Sequence, residues 1–212
     1  MANNPAGILM TDDLFADGRL RGGVIRRLWR ADLEHYRAHL LRLDPQTRRD
    51  RFSGAVADDF LDRYAERAFA EDRILIGYFA CAELRGVAEL YRFAPPHGGE
   101  GEAAFSVETA HRLRGVGTAL FRRLLLAARN RGIRTLHVRC LPHNRAMQAL
   151  ARRHGAQVRF DGGETQGQVE ARPATPFSVM QEWADLGFEL TRAALRAQLG
   201  PTPAPAMRGS QC

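Results

Sequence analysis

The stretch that most constrains this chain is Val107-Glu-Thr-Ala-His-Arg112-Leu-Arg-Gly115-Val-Gly117-Thr118, where strand character passes through Arg-x-x-Gly-x-Gly straight into helical character. Glycines at such a bend let the backbone approach a ligand closely. The unpaired N–H groups of the first helical turn then aim at that ligand with the positive end of the helix dipole. Arg112 and Arg114 add full positive charges, so the segment has the outline of a diphosphate-binding turn. Two familiar phosphate sites are excluded by detail. A dinucleotide fingerprint needs a third glycine where Leu120 stands and an acid about twenty residues further on. A P-loop needs a lysine, and all 31 basic residues of this 212-residue chain are arginines. The absence of lysine also excludes Schiff-base chemistry and a kinase-type strand lysine.

The net charge of +7 is unevenly spread. Arg112 through Phe160 holds twelve arginines and no acid, a net +12, which leaves 19 arginines against 24 acids elsewhere, a net −5. One region is thus suited to a polyanion and the remainder to a cation. With 45% hydrophobic and 26% charged residues the composition is that of an ordinary globular domain. No apolar run is long enough to span a membrane, and the first residues lack the pattern of a secretory leader. Three cysteines, Cys81, Cys140 and Cys212, are an odd number at wide spacing. That argues for reduced thiols and a cytoplasmic location.

Periodicity divides the chain into alternating elements. Residues 1–22 read as a flexible lead-in, Val24 to Trp29 as a strand, and Asp32 to Leu43 as a helix followed by a further turn from Asp44-Pro45 through Phe52. Asp58 to Ala70 is a second amphipathic helix. Arg73 to Ala80 and Gly86 to Phe93 form a hairpin, and Glu102 to Glu108 another strand with Ala103, Phe105 and Val107 on one face and Glu102, Ala104, Ser106 and Glu108 on the other. A helix over Gly117 to Arg131, a strand over Ile133 to Cys140, a helix from Asn144 to His154 and strands at Gln157 to Asp161 and Gly167 to Ala171 complete a domain spanning 23–174. Residues 175–200 read as an amphipathic C-terminal helix interrupted near Gly187, and 201–212 as a disordered tail. The stripe from Phe177 to Leu199 reads as a packing or homodimer surface rather than a membrane binder, because its polar face carries acids as well as arginines.

Arg112-x-x-Gly115-x-Gly117 after the Val107 strand, together with Asn144-x-x-Met147-x-x-Leu150 before Gly155, resembles the GNAT superfamily of acyl-CoA-dependent acyltransferases over roughly Val24 to Pro173. The resemblance implies an α/β (α+β) fold with a mixed, mostly antiparallel central sheet flanked by helices, to which the C-terminal helix is an addition. It implies that the backbone from Leu113 through Arg114, Gly115, Val116 and Gly117 to Thr118 holds the diphosphate of acetyl-CoA, beside Arg112, and that the Val107 strand and Asn144 contact its pantetheine arm. No metal is called for. The acetyl group would pass directly to an acceptor amine, a protein lysine or a small molecule.

Such a transfer requires a base to deprotonate the acceptor. Glu102 is the leading candidate, because it opens the strand leading to the turn and stands ten residues before Arg112, where protein-acetylating members of the family carry a glutamate. Glu108, on the same face, and Glu89, inside an apolar strand, are the alternates. Many family members carry a tyrosine as general acid seven residues after the asparagine, and here that place is Ala151. The segment from Leu43 to Phe52 resembles the Ser/Pro-x-Ser/Thr-Arg-x-x-Arg-Phe segment of bacterial protein-lysine acetylating enzymes. A CoA-binding regulator without catalysis is the second reading, prompted by Ala151. A nucleic-acid binder ranks behind both, because neither an aromatic stacking pattern nor a recognition helix accompanies the arginines. His137, Cys140 and His143 have ligand-like chemistry, but strand alternation separates the first two.

Overall fold

The computed structural model describes residues 23–71, 73–94, 99–161, 164–171 and 173–184. Seven strands form one sheet in the order β1-β2-β3-β4-β5-β7-β6, with β1 at Gly23–Arg27, β2 at Arg73–Ala80, β3 at Glu83–Arg92, β4 at Glu100–Val107, β5 at Thr135–Cys140, β6 at Gln157–Asp161 and β7 at Glu164–Glu170. Every neighbouring pair is antiparallel except β4 and β5, which run parallel. The β6–β7 hairpin therefore folds back so that its second strand lies against β5. Helices α1 (Leu33–Arg42), α2 (Pro45–Phe52) and α3 (Asp58–Ala70) follow β1, while α4 (Val116–Asn130) and α5 (Arg145–Arg153) follow β4 and β5. A further helix, α6, occupies 176–184.

Strand alternation sorts the apolar residues into two cores, one on each side of the sheet. Ile74, Ile76, Tyr78, Ala88, Leu90, Ala103, Leu136 and Val138 pack with Leu120, Phe121, Leu124 and Ala128 of α4, and Phe105, Val107, Met147 and Leu150 join them from the periphery. On the other side Leu75, Leu84 and Val87 pack with Tyr36, Leu40, Leu61, Ala65 and Ala68 of α1 and α3.

The element boundaries depart from the periodic reading where a side chain intervenes. β1 ends at Arg27 rather than Trp29, because the Asp32 carboxylate accepts from the Trp29 N–H at 3.0 Å and from the Arg26 guanidinium at 2.7 and 2.5 Å, turning the chain into a short 3-10 turn, Arg30–Asp32. The stretch read as a further turn before Phe52 is a full helix, α2, capped by Asp44, whose Oδ1 accepts from the Thr47 N–H at 2.9 Å, and opened by Pro45. Cys140 is buried in β5, and Cys212 lies outside the described residues. α6 docks on the end of α4 through polar groups: Ser178 Oγ donates to Asn130 Oδ1 at 2.7 Å, and Arg131 pairs with Glu182 at 2.7 Å. Phe177, Met180 and Trp183 of the expected packing stripe are exposed. The lead-in over 1–22, the expected interruption near Gly187 and the tail over 201–212 lie outside the described residues.

One polar cluster pins the helical layer of α1–α3 to the middle of the sheet. Glu89 of β3 is only 4% exposed. Its carboxylate accepts from Arg51 of α2 at 2.5 Å, from the Tyr36 hydroxyl of α1 at 2.7 Å and from the Tyr64 hydroxyl of α3 at 2.8 Å. Burial alone would raise its pKa, but the Arg51 guanidinium and these hydrogen bonds outweigh burial and hold it below the usual carboxylate range. Breaking a buried pair leaves an uncompensated charge. Arg51→Ala is therefore expected to destabilise the protein by about 3–5 kcal/mol in denaturant unfolding, and Arg51→Met with Glu89→Leu to recover most of that loss. An Arg51→Ala protein as stable as the parent would show that the pair contributes nothing to the fold.

Candidate active site

β4 and β5 pair only from Glu100↔Thr135 to Ala103↔Val138, although β4 continues to Val107 and β5 to Cys140. The two strands part beyond that point. The ladder fixes which main-chain groups face the opening. Glu100 accepts from Phe93 and Glu108 donates to Arg85, so the even-numbered residues of β4 turn their backbone to β3, whereas the Gly99 carbonyl accepts from Arg134 and Thr135 on the β5 side. Phe105 and Val107 therefore present their backbone to the gap, while Ala104 and Ser106 carry their side chains on the α1–α3 face.

At the mouth of the gap stands the N-terminus of α4. Its N-cap is Gly115 at φ +83°, a left-handed conformation, and no side chain caps the helix. Leu113, also left-handed at φ +58°, is fully exposed, as unusual a setting for leucine as its backbone angle. Among the described residues no backbone acceptor takes the N–H groups of Leu113 through Thr118, and the first helical bond runs from Ala119 to Gly115. Successive free N–H groups with left-handed residues among them make an anion-binding concavity. Gly117 lets α4 lie close to α5: a Cβ there would stand 3.3 Å from Leu150 Cδ2. Arg114 is exposed beside the turn.

Arg112 has a second job within the fold. Its Nε donates to the Val107 carbonyl at 3.0 Å and its Nη2 to Thr47 Oγ1 at 2.5 Å. Asp44 accepts from Thr47 Oγ1 at 2.5 Å and from Thr109 Oγ1 at 2.8 Å. The turn is thereby wired to the start of α2. The other end of α2 reaches the β5–α5 loop, where His143 Nε2 lies 2.7 Å from Asp50 Oδ1 and 3.0 Å from Gln46 Nε2. α2 thus bridges the elements on both sides of the gap, a placement that its sequence pattern does not reveal. Asn144 caps α5, with its Oδ1 accepting from the Met147 N–H at 3.0 Å. Ala151 is buried, so no polar group stands at the position where the resemblance calls for a tyrosine.

The three candidate carboxylates occupy different settings. Glu89 is consumed by the Arg51 cluster. Glu108 sits at the end of β4 and accepts from Arg42 at 3.0 Å and Arg85 at 2.8 Å, with His39 Nδ1 at 3.2 Å. Burial raises its pKa, but His39 and the arginines outweigh burial and bring it to about 2. Glu102, one residue before the last β4–β5 pair, is a third exposed and lies 3.4 Å from a single arginine, Arg139. The ligand-like trio of the sequence disperses, since His137 Nε2 lies 2.7 Å from Glu100 Oε2, Cys140 is buried and His143 faces α2. Among the described residues no group of three or more His, Cys, Asp or Glu could hold a metal ion. No helix among them is long and apolar enough to cross a membrane.

Sequence reasoning named the turn and the three carboxylates but missed His39, Arg42, Arg85, Asp44 and Thr47. Their partners lie 23 to 69 residues away in the chain, and no local spacing signals them. The Asp44-Pro45 helix start was the one available hint.

Residues 25–156 match the family model described as Acetyltransferase (GNAT) family, and the protein belongs to that family of N-acetyltransferases. No curated protein sequence matches. Similar solved structures include the GNAT domain of S. lividans PAT, with a TM-score of 0.62 and 22% identity over 70% of this chain and 90% of that one. yncA from Salmonella typhimurium with acetyl-CoA has a TM-score of 0.55 and 19% identity over 73% and 97%. The PaiA N-acetyltransferase of Thermoplasma acidophilum with coenzyme A has a TM-score of 0.53 and 16% identity over 70% and 98%. At these identities the likeness concerns the fold alone.

Asp44 and Glu108, the two carboxylates that tie α1 and α2 to this end of β4, both have pKa values of about 2, against ordinary values of 3.8 and 4.5. A carboxylate whose pKa is lower in the folded state adds stability above its unfolded pKa and loses that contribution as the pH falls through its folded one. The melting temperature should therefore fall between about pH 4.5 and pH 2, and less steeply in Glu108→Gln; equal slopes in the two proteins would show that Glu108 is not linked to stability.

Proposed function

We propose that the protein transfers an acetyl group from acetyl-CoA to an acceptor amine, with the ligand's pantetheine arm in the gap between β4 and β5 and its diphosphate on the N-terminus of α4. The observation that carries this reading is the coincidence of two sets of backbone groups without a strand or helix partner: the Phe105 N–H and C=O with the Val107 N–H on the strand edge, the Val107 carbonyl being taken by Arg112, and the N–H groups from Leu113 to Thr118. The first suits an extended amide-bearing chain and the second a diphosphate. All twelve arginines of the acid-free segment come from the turn, α4, β5, α5, β6 and their connections, so the cationic half of the chain surrounds the proposed anion. Arg112 acts mainly by shaping the turn, Arg114 by charge, and Asn144 by setting the start of α5 beside the arm.

The thioester supplies an activated acyl carbon. Glu102 is the carboxylate we assign as base, because among the three candidates only it has an open side and a single arginine neighbour. It takes a proton from the acceptor's ammonium, directly or through a water molecule, and so frees the nitrogen lone pair for attack. The C–N bond forms as the C–S bond breaks. With Ala151 in place of a general acid the departing thiolate takes its proton from solvent, which its ordinary pKa of roughly 8–9 permits at neutral pH.

The acceptor is a protein lysine or a small amine. The Leu43–Phe52 resemblance supports the first less than its letters suggest, since the structure gives its residues work inside the fold. Arg48 holds the Leu41 and Leu43 carbonyls at 2.5 and 3.0 Å, Arg51 pairs with Glu89, and Phe52 packs edge-on to Tyr64.

Turnover of acetyl-CoA against a panel of small amines and lysine peptides tests the reading. Glu102→Gln is expected to lower kcat by about 10²- to 10⁴-fold, the usual worth of a general base, with CoA affinity retained. Undiminished turnover would remove Glu102 from that role, and tight CoA binding with no turnover on any amine would instead support a CoA-binding regulator.

A further inference from the structure

His39 is the one fully buried histidine among the described residues, and the reaction outlined above does not use it. It projects from α1 onto the end of β4, with Nε2 2.9 Å from Ser106 Oγ and Nδ1 3.2 Å from Oε1 of Glu108, the residue after the strand. Ser106 and Glu108 are alternate residues of the same chain segment, and Val107 lies between them. The ring therefore clamps the two positions that flank a backbone unit facing the gap.

That segment needs a clamp. From Ala104 to Val107 the strand has β3 on one side and no strand on the other. A strand end bonded on one side only is free to twist or bulge. α1 supplies the missing constraint from above the sheet. Its residues His39 and Arg42, one turn apart on one helix face, converge on Glu108, and Arg42 also donates to the Leu84 carbonyl at 2.6 Å.

We infer that His39 is a positioning residue for co-substrate binding: by bridging Ser106 and Glu108 it holds the open edge of β4 in the extended form whose Phe105 backbone and Val107 N–H meet the pantetheine arm. The inference rests on the reading of the gap given under the proposed function. It also assigns the ring's proton. The Glu108 carboxylate can only accept, so Nδ1 carries the hydrogen, and Nε2 of the neutral ring accepts from the Ser106 hydroxyl. Protonation would reverse the second bond, with Nε2 donating to Ser106 Oγ, so the bridge itself does not depend on the ring's charge. The charged groups around the ring are Glu108 at the end of β4, Arg42 on α1 and Glu89 on β3, with Arg85 of β3 on the far oxygen of Glu108. Burial lowers the pKa of His39 most strongly, Glu108 opposes that, and the net shift is downward, so the clamp is neutral at and above the ordinary histidine value of 6.5.

The test is calorimetric titration of the full chain with CoA and with dephospho-CoA at pH 7.5, where the ring is neutral, alongside steady-state kinetics with acetyl-CoA. His39→Gln and Ser106→Ala are each expected to weaken binding by about tenfold, of the order of one lost hydrogen bond. They should raise the KM for acetyl-CoA while kcat at saturation stays near the parent value. Ser106→Ala leaves the ring in place and removes one hydroxyl, so it reads the clamp even where His39→Gln does not fold. Unchanged affinity in Ser106→Ala, or a fall in kcat with KM unchanged, overturns the inference while leaving the acetyl-transfer reading intact. A parent protein that binds neither CoA nor dephospho-CoA overturns both.

Discussion

The separation of β4 from β5 beyond Ala103 and Val138 is the constraint on which the rest of the structure depends. Backbone N–H and C=O groups inside a sheet are normally consumed by their neighbours. Here two strands begin as partners and stop, so one sheet contains both a rigid ladder and a short exposed edge. The ladder holds β4 in place through β3, and the edge supplies hydrogen-bonding groups at a position defined by seven strands rather than by a loop. The uncapped N-terminus of α4 opens at the same place because the turn after β4 is only as long as Glu108 to Gly115. The two sets of unused groups are thus brought together by chain connectivity alone.

Keeping such an opening from collapsing falls to polar side chains from the α1–α3 layer. α2 is tied at one end to the turn through Thr47, Asp44 and Arg112, and at the other to the β5–α5 loop through Asp50 and His143. Arg51 and two tyrosines secure the same layer to Glu89 in the centre of the sheet. These contacts involve charged or hydrogen-bonding groups with directional geometry, which specify a spacing between layers in a way that apolar packing alone does not. The apolar cores on either face provide the bulk of the burial, and the polar ties set where the helices lie along the strands.

Much of this was legible because it is local. The Arg-x-x-Gly-x-Gly turn, the Asn144 cap and Gly155 stop and the two faces of β4 follow from residues a few positions apart and stand where the periodicity put them, within a residue or two at the ends; the β2–β3 hairpin is also present, but β3 begins at Glu83 rather than Gly86, so its turn is tighter than the letters suggest. The roles of the carboxylates were not legible. Glu89, Glu102 and Glu108 look alike as acids in strands, yet one is locked in a buried ion pair, one anchors a strand end, and one is left partly open. Their fates depend on Arg51, Arg42, Arg85 and His39, which arrive from other elements across 23 to 69 residues of chain.

By itself, then, the sequence determined what the proposed anion site is built from: with no lysine and twelve arginines in an acid-free stretch, it has backbone amides and guanidinium groups around one glycine-bearing turn. It also determined which strand leads into that turn. Only the tertiary structure decided which carboxylate stays available for chemistry, that the helix opened by Asp44-Pro45 bridges the gap, and that β7 rather than β6 lies beside β5. The physical reason is range. Capping, turn formation and strand alternation act over a few residues and leave a mark in the letters, whereas burial and ion pairing depend on which distant side chains the sheet order brings within about 3 Å, the distance at which a hydrogen bond forms.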